Sequence, residues 1–295
     1  VASNGARFRI GVVAPGSPVA PDLAEEVRRA ASGLYPDGRV EVVFHPQCFL
    51  SAGHFAGPDA ARAEAFVDVA NDPGFDALWF ARGGYGAARL AEGLAQRLAP
   101  AARDKAYLGY SDAGSLLGLL YGLGFPKVAH GPIPQDLRRA GGEAAVARAL
   151  AWLAEGAADG LEPSVAASGK TAAFNITILA HMIGLPWAPD LSGHVVMLEE
   201  VSEYLYRIDR DLLQITSSPG MRRVAGLRLG RCSDIPENDR PFGEDEEAIA
   251  RNWCVRSKIP YLGRADIGHD ADNKIVPFGG LAASWALGTK PRGGG

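Results

Sequence analysis

The chain has 295 residues, 47% of them apolar and 22% charged, with a formal net charge of −4. This is the composition of a soluble globular protein, long enough for one large or two medium domains around a sizeable core. The mildly acidic balance excludes the basic field of a nucleic-acid or anionic-membrane binder.

In chain order, residues 8–14 (FRIGVVA) read as a buried strand. A turn at Pro15-Gly16-Ser17-Pro18 and an amphipathic helix over 22–31 follow. A second strand is expected at 40–45 and a helix at 59–70, where Ala63, Phe66, Val67 and Ala70 share one face. Residues 77–81 form a third strand, followed by Arg82-Gly83-Gly84-Tyr85-Gly86 and a helix over 87–98. Strands at 106–109 and 127–130 flank a helix over 113–123, and another helix covers 143–155. Such alternation predicts a parallel sheet covered on both faces. Its functional loops lie at the carboxyl ends of the strands, where both the Arg82 loop and Ser111 fall.

Residues 156–170, rich in Ala, Gly and Ser, read as a linker between domains over 1–155 and 171–295. The second half is less regular. It offers strand-like segments at 195–198 and 224–229, a helix at 206–215, and a helix at 245–256 with acidic residues at its start. The tail 290–295 reads as disordered. Cys48, Cys232 and Cys254 are dispersed and give no disulfide framework, which suits a reducing, cytoplasmic compartment. No charged-then-apolar leader opens the chain, and the most apolar stretch, 116–125, is too short to span a bilayer.

Leu108-Gly109-Tyr110-Ser111-Asp112 carries the chemistry. A serine between a strand and a helix exposes its hydroxyl, with the free N–H groups of the helix behind it. Ser and Asp are equally ordinary helix caps. Two later residues favour catalysis. Glu199 ends the apolar run His194-Val-Val-Met-Leu198, and His269 lies in the glycine- and acid-rich Asp266-Ile-Gly-His-Asp-Ala-Asp-Asn273. Serine becomes a nucleophile when a neutral imidazole accepts its proton and a carboxylate fixes that imidazole. The order Ser, acid, His is that of α/β-hydrolases, but Gly109-Tyr110-Ser111-Asp112-Ala113 departs from their G-x-S-x-G. The alternating Asp266, Asp270 and Asp272 lack the rest of a calcium loop, and His45 with Cys48 lacks partners for zinc. His54, His181 and His194 read as packing or surface residues, and His130 as part of a turn before Pro132.

These residues resemble the L,D-carboxypeptidases that act on cell-wall muropeptides. The shared motifs are Arg82-Gly-Gly-Tyr-Gly86, Gly109-Tyr-Ser-Asp112, His130-Gly-Pro132, Leu198-Glu-Glu-Val-Ser-Glu203 with Tyr206-Arg-Ile-Asp-Arg210, and Gly268-His269 with Asn273, Pro277 and Gly279. The resemblance implies an α/β fold, a Rossmann-like domain carrying Ser111 followed by a smaller β-rich domain carrying Glu199 and His269. It implies an oxyanion hole from the backbone N–H groups of Asp112 and Gly84. It also implies a cofactor-free homodimer that removes the terminal D-alanine of a tetrapeptide. An exopeptidase must read a free carboxylate, for which Arg82 and Arg207 are candidates because guanidinium forks suit carboxylates. Tyr85 is a further candidate for substrate contact.

Two departures stand out, Ala173-Phe174-Asn175 where the family usually has Gly-Gly-Asn, and Glu199-Glu200 where it often has Glu-Asp. The same family contains immunity enzymes that cleave aminoacyl-nucleotide antibiotics, which leaves the substrate more open than the reaction class. A non-catalytic nucleotide- or sugar-binding module would explain the glycine loops but gives Glu199 and His269 no purpose.

Overall fold

A computed structural model describes residues 7–281 of the chain; the tail at 290–295 lies outside them. The apolar runs of the first half form five parallel strands, β1 (Phe8–Val13), β2 (Val40–Phe44), β3 (Ala77–Phe80), β4 (Ala106–Gly109) and β5 (Val128–His130). Helices α1 (Pro21–Leu34), α2 (Asp59–Asn71), α3 (Ala91–Leu94), α4 (Gly114–Gly122) and α5 (Gly142–Glu155) alternate with and follow them. Every residue of β3 and β4 is buried, as expected of central strands covered on both faces.

A second parallel sheet is built from β6 (Lys170–Asn175), β7 (His194–Val201), β8 (Gly226–Ser233) and β9 (Tyr261–Arg264), in that order. Its helices are α6 (Ile176–Met182), α7 (Leu205–Ser217) and α8 (Glu246–Ser257), the last capped by the Asp245 carboxylate on the Ala248 N–H. The chain then returns to the first sheet. The short β10 (Val276–Pro277) pairs antiparallel with β5, completing the order β2-β1-β3-β4-β5-β10. Directly after it, Gly279 exchanges two backbone hydrogen bonds with Thr171 of β6. The segment downstream of His269 is therefore stitched to both sheets.

Helix α4 explains how the halves join. Residues 114–120 are buried on every side, and a helix apolar all round belongs in an interior. One face lies on the first sheet; the other meets Phe174, Ile178 and Met182 of β6 and α6. A single apolar cluster runs from Leu78 and Phe80 through Leu117 and Leu120 to Phe174, Leu198 and Leu212.

The structure departs from the periodicity in several places. The helix expected over 87–98 is broken into a 3-10 turn, the four-residue α3 and a second 3-10 turn. Gly93 weakens the middle of the stretch. Residues 156–170 carry two 3-10 turns, and Leu161 bridges Ile275. Within them the buried Glu162 accepts from Ser164 and from the Asp266 N–H at 3.3 Å. The strands β6, β9 and β10 and the helix α6 are not expected from the pattern: β6 is rich in small and polar residues, β9 has only four residues around a glycine, and α6 and β10 are short.

Candidate active site

Ser111 follows β4 by one residue and opens a 3-10 turn that leads into α4. Its φ of 61° is left-handed, a conformation that costs a non-glycine residue about 1–3 kcal/mol and persists only where the surroundings impose it. This sharp strand-to-helix turn lifts the hydroxyl out of the sheet edge.

The glycine loop is locked to that turn. The buried Asp112 carboxylate accepts the Ala87 N–H at 2.7 Å and that of Gly86, and burial pushes its pKa up to about 6. Nearer Ser111, a Cβ built on Gly83 would lie 2.6 Å from its Oγ and 2.8 Å from its Cβ, so only glycine lets the loop pass. Gly84 has φ 94° and faces Ser17. Behind the loop, the buried Arg62 donates to the carbonyls of Pro15, Gly57 and Gly86 and pairs with Asp59.

His269 bridges the two halves of the site. Its Nε2 lies 3.0 Å from Ser111 Oγ and its Nδ1 2.5 Å from Glu199 Oε2. An ionised Glu199 only accepts, so Nδ1 carries the ring proton and Nε2 faces the serine as acceptor. Glu199 is wholly buried on β7, and its Oε1 has no hydrogen-bond partner among the described residues. Burial pulls the His269 pKa down, but the charge and hydrogen bond of Glu199 outweigh it and the net shift is upward.

A buried shell fixes the imidazole. The Tyr110 ring lies 4.8 Å from His269 and 5.5 Å from His130, centroid to centroid, with its hydroxyl donating to Asp136. His130 Nε2 donates to Asn273 Oδ1 at 3.0 Å, and that oxygen also accepts the Gly268 N–H at 3.3 Å. From α5, Arg148 donates to the carbonyls of Ala271 and Asn273. His130, expected only to shape a turn, thus reaches the loop that carries His269.

The remaining residues singled out from sequence divide. Arg82 is partly buried and donates to the Pro18 carbonyl at 3.1 Å, and its Nε has no hydrogen-bond partner among the described residues. Tyr85 is 58% exposed beside His54 and Phe55. Arg207, about half exposed, pairs with Glu203 at 3.6 Å and lies over the Tyr206 ring. Next to the departures Ala173 and Phe174, Asn175 caps α6 through the Ile178 N–H and donates to Glu200, the other departure, which also accepts from Thr177 and Val201. No group of three or more His, Cys, Asp or Glu side chains among the described residues is placed to hold a metal ion. Asp266 and Asp270 instead bind Arg231. His45 caps a 3-10 turn, and His194 bonds the Tyr121 hydroxyl at 2.7 Å.

The sequence reading missed three contributors. Gly83 was signalled by the doubled glycine, Arg148 by nothing local, and the Asp112 side chain was hidden behind its backbone role. Together the groups place a serine hydroxyl, an imidazole and a buried carboxylate in one hydrogen-bonded line, an arrangement that can serve acyl transfer.

Comparison with known proteins bears on the family. The LD-carboxypeptidase N-terminal domain matches residues 10–131 and the LD-carboxypeptidase C-terminal domain residues 168–283. A murein tetrapeptide carboxypeptidase of Pseudomonas aeruginosa is 28% identical over 93% of this chain and 92% of its own. A Streptomyces coelicolor protein named as a carboxypeptidase is 32% identical over 92% and 88%. The crystal structure of the muramoyltetrapeptide carboxypeptidase from Oxalobacter formigenes superposes with a TM-score of 0.73 at 26% identity, covering 92% and 93%. The microcin self-immunity protein MccF shares the fold, with a TM-score of 0.76 at 15% identity over 94% and 93%. By these matches, which span both sheets, the chain belongs to the LD-carboxypeptidase family of peptidases.

Proposed function

We propose that the protein is a serine carboxypeptidase that hydrolyses the L,D bond holding the terminal D-alanine of a muropeptide tetrapeptide, in peptidoglycan recycling. The contact of His269 with both Ser111 Oγ and Glu199 carries this reading. His269 Nε2 takes the Ser111 proton as Oγ attacks the scissile carbonyl. The oxyanion forms against the N–H groups of Asp112 and Gly84, each such donor contributing about 3 kcal/mol of transition-state stabilisation. His269 then protonates the departing D-alanine nitrogen, and water releases the acyl group by the same steps in reverse. Arg82, on the loop that meets Ser111 and with donors to spare, reads the substrate carboxylate beside Tyr85. Arg207, already paired with Glu203, is the weaker candidate. No helix among the described residues is long and apolar enough to cross a membrane. We place the reaction in the cytoplasm, where the three free thiols stay reduced, and the protein in a homodimer, to be read by light scattering.

Incubation with the tetrapeptide and assay of free D-alanine tests the proposal. Wild type is expected to release it and Ser111→Ala to release none. Cleavage of an aminoacyl-adenylate instead would assign the triad to the immunity-type substrate. Failure on both, with Ser111 inert to a fluorophosphonate, would remove the hydrolase reading altogether.

A further inference from the structure

The loop that carries His269 is gripped by one arginine that the reaction itself does not use. Arg231 lies on β8, and its guanidinium binds Asp270 through two nitrogens, one of them Nη2 at 2.9 Å from Oδ1. Its Nη1 reaches Asp266 Oδ1 at 2.5 Å. The two acids stand three residues before His269 and one after it. The backbone joins in, since the Arg231 N–H donates to the Ile267 carbonyl at 2.8 Å. Residues 266–270 are therefore fastened at both ends and in the middle by a single residue. Gly268 makes room for this. A Cβ built there would lie 2.9 Å from Arg231 Cβ and 3.0 Å from its Nε. The glycine of the Gly268-His269 pair is thus explained by the passage of an arginine stem.

We propose that Arg231 is a positioning residue for His269, setting the imidazole against Ser111 by fixing Asp266 and Asp270 together. The inference rests on the proposed triad. The side chains of all three residues of the clamp are about a third exposed. Exposed ion pairs contribute little to global stability, so the role predicts lost reactivity without lost fold. A planar fork holding two carboxylates is also not replaced by an ammonium point charge.

The test is the rate at which a fluorophosphonate modifies Ser111. In that step the Oγ–P bond forms, fluoride leaves and His269 takes the proton, so the rate reports the base without needing the natural substrate. Arg231→Ala is expected to slow it roughly 10- to 100-fold, the scale of a sub-ångström misplacement of a catalytic group. In D-alanine release, kcat falls by the same factor with KM unchanged. Millimolar guanidinium is expected to restore part of both rates, and Arg231→Lys to restore little. Should Arg231→Ala fail to fold, Asp270→Asn, which removes the bidentate partner, is expected to show the same selective loss. Wild-type rates in the folded variants, or losses that guanidinium leaves untouched, would overturn the proposal. Ser111→Ala separates the two layers. If it abolishes labelling and release while Arg231→Ala alters neither, the clamp is wrong and the triad stands; if Ser111→Ala retains release, the triad reading itself has failed.

Discussion

Replacing Gly83 by Ala tests the site at its narrowest point. Gly83 has no positive φ, so alanine meets no backbone penalty there and the perturbation is purely steric. The added Cβ would lie 2.6 Å from Ser111 Oγ, where ordinary contact begins at 3.4 Å. The Ser111 Cβ would lie only 2.8 Å away as well, so either the loop or the whole Ser111 side chain must yield. The loop is held from behind by Arg62 and at its far end by Asp112. Rotating the hydroxyl does not relieve the Cβ contact, so Ser111 itself is pushed aside, and its Oγ now lies 3.0 Å from His269 Nε2. The shift breaks that contact, and a displacement near 1 Å can cost on the order of 100-fold in rate. We expect Gly83→Ala to lower kcat about 30- to 300-fold with a melting temperature close to wild type. Steady-state D-alanine release, fluorophosphonate labelling and thermal denaturation measure the three quantities. A folded Gly83→Ala variant with wild-type kcat would show that the loop is not locked against Ser111 and that the site is looser than its hydrogen bonds indicate.

Glu199→Gln keeps shape and burial but lets the amide donate to Nδ1, favouring the wrong tautomer; kcat is expected to fall about 10³-fold or more. Activity in wild type is expected to rise with pH through an inflection above the ordinary histidine value, since His269 must be neutral to act and its pKa is raised. The stability that the His269–Glu199 pair contributes runs the other way. It is full below the unfolded histidine pKa and is lost as pH rises through the folded one, so denaturant titrations of wild type and Glu199→Gln should converge at high pH. Asp112→Ala strands the Ala87 and Gly86 N–H groups and should cost about 1–3 kcal/mol, read by urea denaturation. Because burial lifts the Asp112 pKa to about 6, wild type should lose stability relative to Asp112→Asn as pH rises from about 4 to 6. Burial also pushes the thiols of Cys48 and Cys254 up to about 12 and 11, so both should resist Ellman's reagent in the native protein and react once it is denatured.

Much of the fold was legible because its central elements are cooperative with their own neighbours. The run ALWF is apolar and buried over its whole length, and FRIGVV is buried from Ile10 onward; both sit in central strands, so burial and local preference agree. Where tertiary contacts compete with local preference, the pattern misleads. Strand β6, rich in small and polar residues, is a strand because it lies between β7 and the returning segment at Gly279. The residue types of the site were equally legible, since a serine at a strand-to-helix turn, a carboxylate ending a buried strand and a histidine in a glycine-rich loop each have a chemical meaning alone.

Their meeting was not. His269 lies 158 residues from Ser111 and 70 from Glu199, and no sequence period reports contact over such separations. That convergence depends on α4 being buried between two sheets and on β10 returning to the edge of the first, which draws the intervening loop across the gap. The same loop takes carbonyl contacts from Arg148 in one half and carboxylate contacts from Arg231 in the other. The chain by itself determined which groups were available. The tertiary structure decided which of them touch, because hydrogen bonds act over about 3 Å and only packing brings distant segments that close.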